Sequence, residues 1–264
     1  MRSAIPRLRP VSADYADAVT DGNPDSLPDL TAYDAVLFDL DGVLTPTAEV
    51  HMHAWRTMFE ELFAQWDIRP PYTDRDYFEY LDGKKRYDGV ASLLRSRDVE
   101  VPWGDPADPP TADTVCGIGN RKNVVFAAVL RSEGISPYPG SVRLVDRLLA
   151  AHVPIAVVSS SKNAEEVLEA AGIRDRFTVV MDGVVAERDH LRSKPAPDVF
   201  LEAARMLGVD PARSVAVEDA LSGVQSAAAG GFAVVIGVDR GVGGENLTRA
   251  GASVVVDDLA AFVD

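Results

Sequence analysis

Six short apolar runs, largely β-branched, punctuate the chain at residues 35–38, 154–158, 177–180, 214–217, 233–236 and 253–256. They are nearly continuous in apolar character rather than alternating, as strands covered on both faces must be. Residues 141–151, 164–171, 197–207 and 221–229 lie between them and carry apolar side chains at helical spacing. Strand and helix in alternation predict an α/β fold, a Rossmann-like parallel sheet with helices on both faces.

One long interval breaks the rhythm. From Thr47 to Ser136 the apolar residues Trp55, Phe59, Leu62, Phe63 and Trp66 recur at helical spacing, and residues 124–130 form a second apolar helical stretch. Residues 102–110 concentrate Pro and Asp without an apolar period and read as a loop. The simplest organisation is an α/β core from residues 31–46 and 137–264, a helical insert at 47–136, and a lead-in at 1–30. That lead-in is rich in Pro, Asp and Ser and has no apolar stretch of signal or membrane-span length.

Composition narrows the partners. A chain of 264 residues that is 47% hydrophobic can bury a large core. Its net charge of −15 argues against nucleic acid and against an anionic membrane surface. Any phosphate must therefore be held by individual lysines, arginines and helix N-termini. A single cysteine, Cys116, excludes a disulfide framework and suits a reducing, cytoplasmic compartment. A monomer is the default expectation.

Four polar groups fall at the expected carboxyl ends of the strands. Asp39-Leu40-Asp41 follows the first apolar run directly and leads into Gly42, which frees the chain to turn. Two carboxylates this close need a cation between or beside them, with Asp39 as the nucleophile on phosphorus and Asp41 as the acid and base. Ser159-Ser160-Ser161-Lys162-Asn163 follows the second run, where hydroxyls and amides at a strand-to-helix transition can cradle an anion. Lys194, fixed by Pro195, is placed to neutralise charge on a transferring phosphoryl group. Glu218-Asp219 follows the fourth run and completes an oxygen-rich site suited to Mg²⁺.

In this order, Asp39-Leu40-Asp41-Gly42-Val43-Leu44-Thr45, Ser159-Ser160-Ser161-Lys162-Asn163, Lys194-Pro195-Ala196-Pro197-Asp198 and Glu218-Asp219 resemble the four motifs of the haloacid dehalogenase-like superfamily. The second aspartate is that of the superfamily's phosphatases and phosphomutases. The resemblance implies an aspartyl-phosphate on Asp39, Asp41 as acid and base, and Mg²⁺ held by Asp39, the Asp41 carbonyl, Glu218 and Asp219. Ser159 and Lys194 join the catalytic set, Ser160, Ser161 and Asn163 the substrate binders, and the insert becomes a cap.

Further similarity is to the β-phosphoglucomutase subgroup. Thr47-Ala48-Glu49 with His51 resembles its hinge, where Thr47 and His51 time the acid/base aspartate. Gly83-Lys84-Lys85-Arg86-Tyr87-Asp88-Gly89 resembles its substrate loop, with Gly83 and Arg86 toward a distal phosphate, and Asn120-Arg121-Lys122-Asn123 a segment meeting the sugar phosphate through Lys122 and Asn123. Pro46 and the long 102–113 loop depart from the bacterial pattern. Lys84, Lys85, Arg86, Arg121 and Lys122 are a local excess of positive charge in an acidic chain, as a second phosphate grip requires. The expected activity is interconversion of β-glucose 1-phosphate and glucose 6-phosphate through a sugar bisphosphate. The alternative is a sugar-phosphate phosphatase.

Overall fold

The computed structural model describes residues 27–82 and 84–263, so most of the lead-in and Gly83 lie outside the described residues. Six parallel strands, β1 (Ala35–Phe38), β2 (Ile155–Val158), β3 (Val179–Met181), β4 (Ser214–Glu218), β5 (Val234–Val238) and β6 (Val254–Val256), form one sheet in the order β3-β2-β1-β4-β5-β6. Alternate side chains serve opposite faces: Val36 and Phe38 of β1 enter one core cluster, Ala35 and Leu37 the other. Both faces are dry, which is why the strands read as unbroken apolar runs.

The helices supply the two covers. Helices α5 (Pro139–Ala150) and α6 (Ala164–Ala170) bring Leu144, Val145, Leu148, Val167 and Leu168 to the first face. Helices α8 (Asp198–Leu207), α9 (Leu221–Ala229) and α10 (Gly244–Ala250) bring Phe200, Val224 and Leu247 to the second. Helix α8 stops at Gly208, whose left-handed φ of 73° closes it. Short α7 (Gly183–Arg188) starts where the Asp182 carboxylate accepts from the amides of Val184 and Val185.

Between β1 and β2 the chain builds a separate helical unit. It comprises α1 (Thr47–Gln65), α2 (Asp74–Asp76), a π-helical turn (Tyr77–Leu81), α3 (Arg86–Arg95) and α4 (Val115–Glu133). Trp55, Met58, Phe59, Leu62, Phe63, Val90, Leu93 and Ile118 form its core, separate from the sheet's two clusters. The Trp55, Phe59 and Phe63 rings belong to that core, as the spacing predicts.

The expectations differ from the structure in particular places. Phe177 and Thr178 precede β3 because a 3₁₀ turn, Arg174–Arg176, occupies the approach to it. Residues 86–89, read from sequence as loop, are the first turn of α3. Helix α4 begins at Val115, nine residues before the apolar stretch seen in the sequence, because the Thr114 hydroxyl caps the Gly117 amide at 3.0 Å. Helices α7 and α10 went unseen because each is under two full turns long and carries little apolar period. Among the described residues no helix is long and apolar enough to cross a membrane.

Candidate active site

Strand order reverses around β1, the first strand, and ligands of open α/β sheets gather at such a point. Here β1 ends and Asp39 begins, its amide donating to the Val217 carbonyl on β4 at 2.9 Å. The neighbouring ends of β2 and β4 deliver the serine run and Glu218-Asp219 to the same edge.

The carboxylates converge as the sequence predicts. Ligand oxygens of Asp39, Glu218 and Asp219 lie within 4.8 Å of one another. Lys194 reaches in from the loop between α7 and α8, donating to Asp39 Oδ1 at 2.6 Å, Glu218 Oε1 at 2.5 Å and the Val158 carbonyl at 3.1 Å. Burial opposes the ammonium's charge, but Asp39 and Glu218 overrule it and hold Lys194 protonated above its ordinary range. Burial likewise pushes Asp39 and Asp219 well above the usual carboxylate range, and neighbouring carboxylates push further. One lysine does not neutralise three clustered acids, two of them buried and Asp219 half-buried. Hard oxygen donors with an excess of negative charge are what Mg²⁺ fits.

Two glycines make this crowding possible. Gly42 has φ of +82°, and a Cβ there would lie 1.9 Å from Asp219 Oδ2. Gly223, in the first turn of α9, faces Glu218 so closely that a Cβ would fall 1.8 Å from Oε1. The other Glu218 oxygen accepts from the amides of Asp219 and Ala220, both at 3.0 Å. Gly223 was not singled out from the sequence, since nothing marks a helical glycine as the floor of a carboxylate site.

Asp41 belongs to a different group. The turn after it closes through Gly42 N to Thr45 O at 2.8 Å, and α1 then begins with Thr47, whose hydroxyl donates to Asp41 Oδ1. Thr45 and Thr47 share a further hydroxyl contact of 2.9 Å. One helical turn on, His51 Nε2 stands 3.8 Å from the same carboxylate, too far for a hydrogen bond. His51 Nδ1 lies 2.5 Å from Lys122 Nζ on α4, and its ring stacks on Phe126 at 4.3 Å. Burial raises the Asp41 carboxyl despite the Thr47 hydrogen bond, which suits a group that must hold a proton near neutrality. Burial, with Lys122 and Arg86 nearby, keeps His51 neutral.

The expected basic surface is sorted by the fold. Lys122 is only 3% exposed, caged by Trp55 and Phe126 with Nζ 5.2 and 4.7 Å from their ring centres. Its pKa falls to about 7, chiefly through burial, then Arg86, with Asp41 opposing. Arg86 donates to Asn123 Oδ1 at 3.1 Å, and that oxygen also accepts from Asn163 Nδ2 of the core at 2.6 Å. Three other residues of the basic group do not join. Arg121 turns away to the Pro110 carbonyl and Asp113, pinning the 102–113 loop, because it is one helical step, about 100°, from Lys122. Lys84 bonds Ser92, and Lys85 is exposed ahead of α3.

The serine run is a folded loop. Ser159 is buried, its hydroxyl accepting from Ser161 N at 3.0 Å, while Ser161 Oγ accepts from Asn163 N at 3.1 Å. Ser160 is exposed. Lys162 pairs with Glu187 at 2.5 Å and sits 6.0 Å over the Tyr87 ring, beside Arg86. Histidines 53, 152 and 190 are exposed and stand apart from these groups.

A sheet of this topology, with an aspartate pair directly after its first strand, a buried lysine and a distal acidic pair, defines a phosphoryl-transfer enzyme of one superfamily. A sequence profile for haloacid dehalogenase-like hydrolases matches residues 33–231, and the chain belongs to that family. It is 48% identical over 239 residues to a beta-phosphoglucomutase of Mycobacterium tuberculosis, covering 87% of this chain and 91% of that one. Among solved structures, beta-phosphoglucomutase from Clostridium difficile superposes with a TM-score of 0.71 at 26% identity, covering 86% of this chain and 92% of that one. CbbY from Rhodobacter sphaeroides, solved in complex with xylulose-(1,5)bisphosphate, superposes with a TM-score of 0.67 at 29% identity, over 86% and 95% of the two chains. The chain is an enzyme, with phosphomutases and phosphatases as its kin.

Proposed function

We propose that this protein is a Mg²⁺-dependent phosphomutase that interconverts β-glucose 1-phosphate and glucose 6-phosphate through an aspartyl-phosphate and a sugar bisphosphate. The observation that carries the reading is the Arg86–Asn123–Asn163 node. It joins the helical unit to the core through a cationic, hydrogen-bonding grip separate from the Asp39 cluster. A mutase must hold one phosphate while transferring the other; a hydrolase of monophosphates needs only the first site.

In this reading Asp39 attacks one phosphorus of the sugar bisphosphate and Asp41 gives its proton to the departing sugar oxygen, leaving phospho-Asp39 and a sugar monophosphate. In the reverse half, a sugar hydroxyl surrenders its proton to Asp41 and takes the phosphoryl group from Asp39. The bisphosphate turns over between halves, with the second phosphate on Arg86, Asn163 and the Ser161 loop. Mg²⁺, held by Asp39, Glu218, Asp219 and the Asp41 carbonyl, would supply positive charge against the phosphoryl oxygens. Lys194 favours the ionised form of Asp39 and aims it, and the Thr47 hydroxyl holds Asp41 with His51 beside it. The cap over the site disfavours water as acceptor.

The test supplies β-glucose 1-phosphate, Mg²⁺ and trace β-glucose 1,6-bisphosphate, with glucose 6-phosphate and free phosphate measured together. Glucose 6-phosphate with little free phosphate is expected. Steady free phosphate as the main product would make the enzyme a sugar-phosphate phosphatase, a chemistry that uses the same Asp39, Asp41 and Lys194.

A further inference from the structure

A cation from the far side of the sheet reaches the turn that carries Asp41. Arg240 follows β5 in a loop that Asp239 closes, its carboxylate accepting from the amides of Gly241 at 2.8 Å and Gly243 at 3.0 Å. The Asp239 amide donates to the Val256 carbonyl of β6 at 2.8 Å, so the loop is fastened to the sheet. From there Arg240 Nε donates to the Gly42 carbonyl at 2.8 Å and Nη1 to the Asp257 carbonyl at 3.1 Å. The guanidinium lies 3.9 Å from the centre of the Tyr138 ring.

The two segments that join the cap to the core meet at this point. Residues 42–46 lead out to α1, and Tyr138 leads back into α5. The Val43 carbonyl accepts from Ser141 Oγ at 2.6 Å, and the Leu44 carbonyl from the Tyr138 amide at 2.9 Å. Three successive carbonyls of the outgoing segment are therefore held from outside it, and Arg240 holds the one next to Asp41. The Asp41 carboxylate takes its hydrogen bond from Thr47, further along the same segment, so its aim depends on the shape of residues 42–47. Gly42, at φ of +82°, has no side chain to lock that shape. Asp39 is held independently, by the Val217 carbonyl and Lys194. We infer that Arg240 is a positioning residue that fixes the Gly42 carbonyl to the sheet, so that Asp41 keeps its aim at the departing oxygen while the cap moves. This rests on the reading above, in which Asp41 is the acid, and adds the group that holds that acid in register.

The experiment measures single-turnover phosphoryl transfer to Asp39, with Mg²⁺, from two donors. The departing sugar oxygen of β-glucose 1,6-bisphosphate needs a proton, whereas the acetate that leaves acetyl phosphate does not. Arg240→Ala is expected to lose about 10–100-fold in the maximal rate with the bisphosphate, as for a reacting group displaced by about 1 Å, with the half-saturating concentration within about 3-fold. With acetyl phosphate it should lose less than about 3-fold, which also shows that the variant is folded. Arg240→Lys, which can donate to one of the two carbonyls but not bridge both, should recover part of the bisphosphate rate. An equal loss with both donors would overturn the inference, because Arg240 would then support the whole site; so would no loss with either. If wild type accepts acetyl phosphate and no sugar phosphate, the sugar reading fails by itself. Glycerol 2-phosphate, an alkyl donor that also needs a proton, then replaces the bisphosphate and decides between the same outcomes.

Discussion

On the proposed reading, Lys122 puts a catalytic demand and a stability demand in direct conflict, and replacing it with Met should expose both. Its ammonium is buried in an aromatic cage, and its pKa falls from 10.5 to about 7. At ~1.4 kcal/mol per pH unit, carrying that charge into the fold costs about 5 kcal/mol at pH 6, where folded and unfolded chains are both protonated. Between about pH 7 and 10.5 the unfolded chain binds a proton that the folded chain does not, so stability rises with pH and the cost falls to about 2 kcal/mol by pH 9. Met keeps the length and packing but loses the contact to His51 Nδ1, worth about 1 kcal/mol, and, where Lys122 is charged, a cation–π attraction worth about 1 kcal/mol more. Lys122→Met should therefore be more stable than wild type by about 3 kcal/mol at pH 6 and by only about 1 kcal/mol at pH 9. Urea unfolding with chelator present, at both pH values, reads this directly, while activity at neutral pH should drop by at least ~100-fold. A stability difference that does not change with pH would refute the reasoning, because it would mean that burial does not perturb Lys122.

Other expectations follow from the same geometry. Asp39→Asn should abolish turnover by at least ~10³-fold and prevent hydroxylamine-labile phosphate from appearing on the protein, as followed by mass spectrometry. Gly42→Ala puts a methyl group into Asp219 and strains a positive φ, so the Mg²⁺ concentration for half-maximal activity should rise by about 10-fold or more. Arg97→Leu leaves the buried Asp76 carboxylate without its 2.7 Å partner and should cost about 3 kcal/mol in urea unfolding. Mg²⁺ at about 100 times its dissociation constant should stabilise wild type by ~2.7 kcal/mol, and Asp219→Asn should lose most of that gain in a thermal melt.

The core was legible in sequence because its physics is local. Strands buried on both faces must be apolar throughout, so residues 35–38 and 214–217 announce themselves, and the polar residues that follow them have only the strand ends to occupy. The cap was less legible because its function depends on which way a helix faces. Arg121 and Lys122 are adjacent in sequence, yet one pins a loop and the other enters the site. Nothing near Lys122 in sequence predicts its burial: the cage is completed by His51 and Trp55, one turn apart on α1, meeting Lys122 and Phe126, one turn apart on α4.

The acidic excess of the chain gives this placement its meaning. Positive charge that must meet a phosphate is not spread over the surface here but set singly: Lys194 between two carboxylates, Lys122 in an aromatic cage, Arg86 on an asparagine. Most exposed arginines are instead paired locally with acids, as Arg188 is with Asp189, Arg192 with Asp198 and Arg205 with Glu202. Exposed pairs of that kind add little stability, but among the described residues they leave fewer cations outside the cleft to compete for a phosphate. On the proposed reading, a doubly anionic sugar phosphate approaching a protein of net charge −15 therefore finds its attraction concentrated inside the site. Salt screens the general repulsion and the local attraction together, whereas the buried cations are screened least. Raising ionic strength should consequently change KM only weakly, in contrast to the steep rise expected of an enzyme that gathers phosphates through an exposed basic surface.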